Sequence, residues 1–364
     1  MQKHARFVMF GMTFGMTRGG LVVAPIVALI LFATSHRPAY AHMRWFVDQT
    51  EHAGAHYPFD LTSLMVVLGV ALFAVVTLVA EKSHAYQQIA RRWETVSRRV
   101  PEGFEWRIVG LCLGILLTVN AVTGVFLAPN LDLFGDNVLL VGGLAQLAVG
   151  LLFISQRSFF LGGILLITVV LPLAIAHVPL GLLVDYYVQF LAIGLAMMIW
   201  GVRLCPLDGS ICRVLRLNFQ LLADLPYLLV RIGTGITLIV LALHAKLLDP
   251  SLALTFLDEN ELNFMPLLGF DGFTNVYFAL SAGLVELTIG IFLVTGVATR
   301  FVTILFCMVL GSTLIMLGPG ELIGHLPLFG VAVPLILRAG PGRLHLRESS
   351  TAGRIGASTP AAAT

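Results

Sequence analysis

Residues 283–300, GLVELTIGIFLVTGVATR, decide how the chain is read, and residues 143–154, GLAQLAVGLLFI, echo them. Aligned without gaps over 12 positions, the two share Gly143/Gly283, Leu144/Leu284, Leu147/Leu287 and Gly150/Gly290. Gln146 in one stands opposite Glu286 in the other. Both stretches are apolar enough to span a bilayer, where a carboxylate costs about 2.5–3.5 kcal/mol on insertion. The pattern predicts a duplicated membrane fold in which one copy carries an ionisable group.

Working outward, 58% of the chain is hydrophobic and 12% is charged, with a mean hydropathy of +0.92. That composition belongs to an all-α polytopic membrane protein and not to a soluble domain. Nine apolar runs lie near residues 60–80, 107–128, 138–155, 159–177, 181–202, 226–247, 274–296, 300–318 and 321–338. The chain has no GxSxG, P-loop, dinucleotide fingerprint or HExxH motif, so hydrolase, ATPase and soluble-cofactor chemistry have no support.

Residues 1–41 read as a signal peptide: Arg6 and Arg18 precede an apolar stretch, and Pro38-Ala39-Tyr40-Ala41 offers small residues at a cleavage site. An uncleaved anchor is the alternative, and both give the same topology. Residues 42–59 then lie outside, and nine spans bring the C-terminus inside. Charge placement agrees, because Lys82, Arg91, Arg92, Arg98, Arg99, Arg157, Arg203, Arg213, Arg216 and Arg300 fall in inner segments, as do Arg338, Arg343, Arg347 and Arg354 of the tail. Outside, after cleavage, stand Arg44 and Lys246 with a surplus of acids: Asp132, Asp136, Asp249, Asp258, Glu259, Glu261 and Asp271. This is the pattern of a bacterial inner-membrane protein.

The sections that follow are 42–106 (external segment, first span and basic inner loop), 107–202 (four spans), 203–225 (connector), 226–338 (four spans) and 339–364 (a polar, disordered tail). The connector mixes Leu and Arg at helical spacing, either as an amphipathic surface helix or as an ordinary basic loop. Cys112, Cys205, Cys212 and Cys307 map to the reducing half without CxxC spacing, which indicates neither a disulfide nor a dithiol centre.

In the second four-span section, Arg231 opens the first helix and Lys246 closes it. A-G-L-V-E-L-x-x-G (Ala282 to Gly290), Gly296 and Thr299-Arg300 follow. These features resemble the DoxX-like family of four-helix membrane proteins, best over 226–338 and more weakly over 107–202. The resemblance implies two tandem four-helix units after an N-terminal span. It also implies a partner-dependent role, since some members look like the membrane subunit of a thiosulfate:quinone oxidoreductase and others accompany periplasmic proteins.

Glu286 falls near mid-membrane. It is either a protonatable group, paired with Arg231 or Arg300, or a hydrogen-bonded carboxyl that fixes helix packing. His244, Glu321 and His325 are placed with it toward the outer side, Glu321 and His325 at i, i+4. His42 becomes the N-terminal residue on cleavage, and with His52 and His56 it composes a candidate copper site. The alternative is a set of interfacial histidines beside Trp45, Phe46 and Tyr57. The leading functional expectation is an accessory protein for outer-face redox or metal chemistry acting through a periplasmic partner. A quinone-linked oxidoreductase subunit and a proton-coupled transporter using Glu286 are the alternatives. Nucleic-acid binding has no support.

Overall fold

A computed structural model describes residues 52, 54–128, 137–219, 222–318 and 321–338. The candidate signal peptide, His42 and the tail lie outside the described residues. Every regular element within them is helical: α1 (Leu61–Glu81), α2 (His84–Ser97), α3 (Phe104–Val122), α4 (Asn137–Ser155), α5 (Phe159–His177), α6 (Tyr187–Leu204), α7 (Pro206–Val214), α8 (Leu225–Leu247), α9 (Ser251–Asn260), α10 (Asn275–Thr295), α11 (Thr299–Leu317) and α12 (Glu321–Arg338). Eight are long and apolar enough to cross a bilayer, and the chain is a multi-pass helical membrane protein. The ninth expected span, α12, carries Pro327 and Pro334 within the helix. It is packed among other helices through Leu328, Val331, Ala332 and Leu335.

Glycines set close helix crossings. In α8 and α10, a Cβ on Gly235 would stand 2.8 Å from the Gly290 carbonyl oxygen, and the reverse distance is equal. In α3 and α4 the corresponding approach joins Gly114 and Gly150, at 2.9 and 3.0 Å. Bare backbones meet at both crossings because lipid supplies no hydrophobic drive and close van der Waals contact must do so instead. α6 packs along α8 as extensively as along its own neighbour α5, and α12 packs mainly along α3. The helices therefore interleave around a common core that includes Trp106, Leu113, Leu117, Phe153, Phe159 and Met197, all fully buried.

Contacts between distant residues sort the helix ends into two sets. At the arginine-rich end, Glu105 is wholly buried; its Oε1 accepts from the Tyr227 hydroxyl at 2.8 Å and from Arg338 Nε at 3.1 Å. This knot joins α3, α8 and α12, and Trp106, Trp200 and Tyr227 pack edge and face around it. Asp208, also wholly buried, accepts from the amides of Phe159 at 2.8 Å and Phe160 at 3.0 Å and from the Ser158 hydroxyl. The connector residue thus caps the start of α5. Glu81 does the same for α11, accepting from the Ala298 amide at 2.9 Å. Of the two readings of the connector, the structure contains a short helix, α7, held down by that carboxylate.

Candidate functional site at the acid-rich end

Glu286 is the twelfth of the 21 residues of α10. Its partner is Lys246, whose Nζ donates to Glu286 Oε2 at 2.5 Å with the two side chains 17% and 21% exposed. The expected arginines do not meet it. Arg231 lies near the other end of α8, against Gly296, and Arg300 donates to the Ala90 carbonyl at 3.2 Å.

Local sequence explains the pairing. The last five residues of α8, Leu243–Leu247, form a π turn, which spends an extra residue and re-aims the side chains after it. Gly283 leaves room for that turn: a Cβ there would stand 3.0 Å from Lys246 Cβ. From this position the flexible lysine stem lays its ammonium back along α10, one turn inward, to the carboxylate.

The same π turn carries His244, whose Nδ1 is 3.4 Å from Oδ1 of Asp185. Asp185 is 3% exposed, at the start of α6. Beyond the turn, Asp249 accepts from the Ser251 amide at 3.0 Å and from its hydroxyl. The Ser251 hydrogen bonds hold the Asp249 carboxyl below the usual carboxylate range, with smaller contributions in the same direction from the His244 and His56 imidazoles. Tyr57 donates to the Lys246 carbonyl at 2.8 Å and pins the extended segment before α1 onto the π turn. Burial raises the Tyr57 pKa above its ordinary value. One π turn thus joins two acid–base pairs, Lys246–Glu286 and His244–Asp185.

The other sequence candidates distribute differently. His325 is buried on α12, 6% exposed. The Glu321 side chain and His42 lie outside the described residues. His52 and His56 do not share a helical face, because residues 55–59 are not helical. His52 Nε2 instead lies 2.7 Å from Asp258 Oδ2, while His56 acts on Asp249. Among the described residues no three His, Cys, Asp or Glu side chains converge to hold a metal, and the candidate copper site reaches outside them through His42. A small cleft between α3, α6 and α12 is lined by Leu116, Tyr186, Gln189, Phe190, Pro327 and Leu328, and the buried Gln189 Nε2 there has no hydrogen-bond partner among the described residues.

Gln146, the counterpart of Glu286, occupies a closed site. It is wholly buried; Oε1 accepts from the Leu127 amide at 2.6 Å, and Nε2 donates to the Leu117 and Val125 carbonyls at 3.1 and 3.2 Å. Asn120 adds a bond to the Leu127 carbonyl at 2.8 Å. Together they hold Leu127 at a positive φ of 62°, a conformation a leucine adopts only under constraint. The chain matches no family model, curated protein or solved structure.

Proposed function

We propose that the chain is a proton-coupled transporter of the bacterial inner membrane, with its mature N-terminus outside and its C-terminus inside. In this reading a cleaved signal precedes two DoxX-like four-helix units that arose by duplication. The matched glycine crossings of α3–α4 and α8–α10 and the packing of α6 along α8 and of α12 along α3 support the duplication. One observation carries the functional reading: the Lys246–Glu286 pair, mid-span and partly accessible, on a π turn that also bears His244. A proton delivered through the acid-rich end neutralises the Glu286 carboxylate and releases the Lys246 ammonium. The seam between α8 and α10 is thereby the element biased by protonation.

The test is electrical. The full chain is reconstituted on a solid-supported membrane and exposed to pH steps, with sugars, amino acids, organic anions and metal cations supplied in turn. Transient currents in the wild type that vanish in Glu286→Gln are expected. Silence of the wild type under every condition, or unchanged currents in Glu286→Gln, would overturn the reading.

The Gln189 cleft favours a second reading, a membrane subunit that serves outer-face redox chemistry through a periplasmic partner. An unpaired amide donor in an apolar cleft is suited to a carbonyl acceptor such as that of a quinone. Retention of quinone by the purified wild type, lost in Gln189→Leu, would distinguish it from the first.

A further inference from the structure

The segment between α1 and α3, expected as a basic loop, is mostly a helix with three distinct sides. Ser83 starts α2 by accepting from the Tyr86 amide at 3.2 Å. Tyr86, Ala90 and Ser97 turn toward the bundle. Arg300 holds this side through the Ala90 carbonyl, and Trp93 Nε1 ties α2 to the end of α12 by donating to the Ile336 carbonyl at 2.9 Å. The next side carries Ile89, Trp93 and Val96, at helical spacing and 65%, 38% and 55% exposed. On the remaining exposed surface stand Arg91 and Arg92, with Arg99 just past the helix. Arg98 is engaged by Glu94 at 2.7 Å.

We infer that α2 is a lipid-binding arm, in which Ile89, Trp93 and Val96 enter the bilayer interface while Arg91, Arg92 and Arg99 hold anionic phospholipid headgroups. Two observations name the occupant. The first is continuity: α1 exposes Leu72, Val75 and Val79 at 64%, 55% and 65%. These belong among acyl chains, and the last lies only a few residues before α2 begins. The second is charge: the guanidinium groups of the three arginines make no hydrogen bond to any described residue, and they flank an apolar stripe as in helices that lie in an anionic interface. The inference rests on the membrane reading alone and is independent of any transport activity.

The experiment uses the full chain in nanodiscs of phosphatidylcholine, with or without phosphatidylglycerol, made with bromine-labelled acyl chains. Trp93 quenching is taken as the difference between a protein and its Trp93→Phe variant. Strong quenching in the anionic discs is expected, falling with added salt and largely lost when Arg91→Gln, Arg92→Gln and Arg99→Gln are combined. Each arginine should contribute about fivefold to the preference for the anionic surface. Absence of Trp93 quenching in both lipids would place the stripe in water and overturn the inference. Equal, salt-independent quenching in neutral and anionic discs would overturn the headgroup assignment. The salt titration needs only wild type and Trp93→Phe, so the inference stays testable if the triple variant fails to fold.

Discussion

Lys246 reaches Glu286 across the α8–α10 seam at 2.5 Å, one helical turn from the glycine crossing at Gly290. In the α3–α4 pair, Gln146 stands one turn from Gly150 and is spent on three backbone bonds. The same place in two similar helix pairs therefore holds a salt-bridged acid in one and a sealed amide in the other. An amide cannot ionise, and its bonds here leave no group to exchange. The carboxylate is held by the Lys246 ammonium, and a proton would remove the charge that holds the pair.

The pair should behave as a coupled unit. Lys246→Met leaves a carboxylate inside a span without its donor, and a loss of about 2 kcal/mol is expected. Adding Glu286→Gln should recover most of it. Unfolding midpoints of the two single variants and the double variant in one detergent would show the coupling, and additive losses would contradict it.

Exchanging the two residues should be asymmetric. Gln146→Glu ends both donated bonds and places a charge in a fully buried site, so a loss of about 3 kcal/mol or more is expected. Glu286→Gln should stay within about 1 kcal/mol of wild type. Monodisperse yield and thermal unfolding of both proteins check this.

At the arginine-rich end, Glu105 has no water to fall back on. Arg338→Met should cost about 3–5 kcal/mol by stranding a buried carboxylate, and Tyr227→Phe about 1 kcal/mol. Combining Arg338→Met with Glu105→Gln should restore much of the loss. Chemical unfolding of the three variants measures these differences.

Asp249 gives the fold a pH dependence of defined sign. Its folded-state pKa lies below the usual value of 3.8 because the Ser251 hydroxyl and amide bond the ionised form. The contribution is complete above the usual carboxylate range and is lost as pH falls through the lowered value. Ser251→Ala should therefore melt below wild type at neutral pH, and the gap should close under acid, below about pH 4. Melting curves across that window provide the check.

The crossing helices are legible in the sequence because each is an apolar run of bilayer length and the charges between runs alternate in sign. Gly283 and Gly290 are legible as close-approach positions from their echo. The partner of Glu286 is not. Helical spacing from Arg231 cannot anticipate the π turn at Leu243–Leu247, which re-aims Lys246 toward α10. Glu105 and Asp208 escape for a different reason. Both sit in basic segments that look solvated, and only the packed structure shows them fully buried with donors from distant helices. In α2 the signal was present, since Ile89, Trp93 and Val96 recur at helical spacing among arginines, but positive charge alone accounts for a loop there.

Infrared difference spectroscopy of the reconstituted chain across a pH titration tests the central claim most directly. A protonated-carboxyl band that grows reversibly on acidification and is absent in Glu286→Gln is expected. A band that persists unchanged in Glu286→Gln would assign the titration elsewhere and contradict the account.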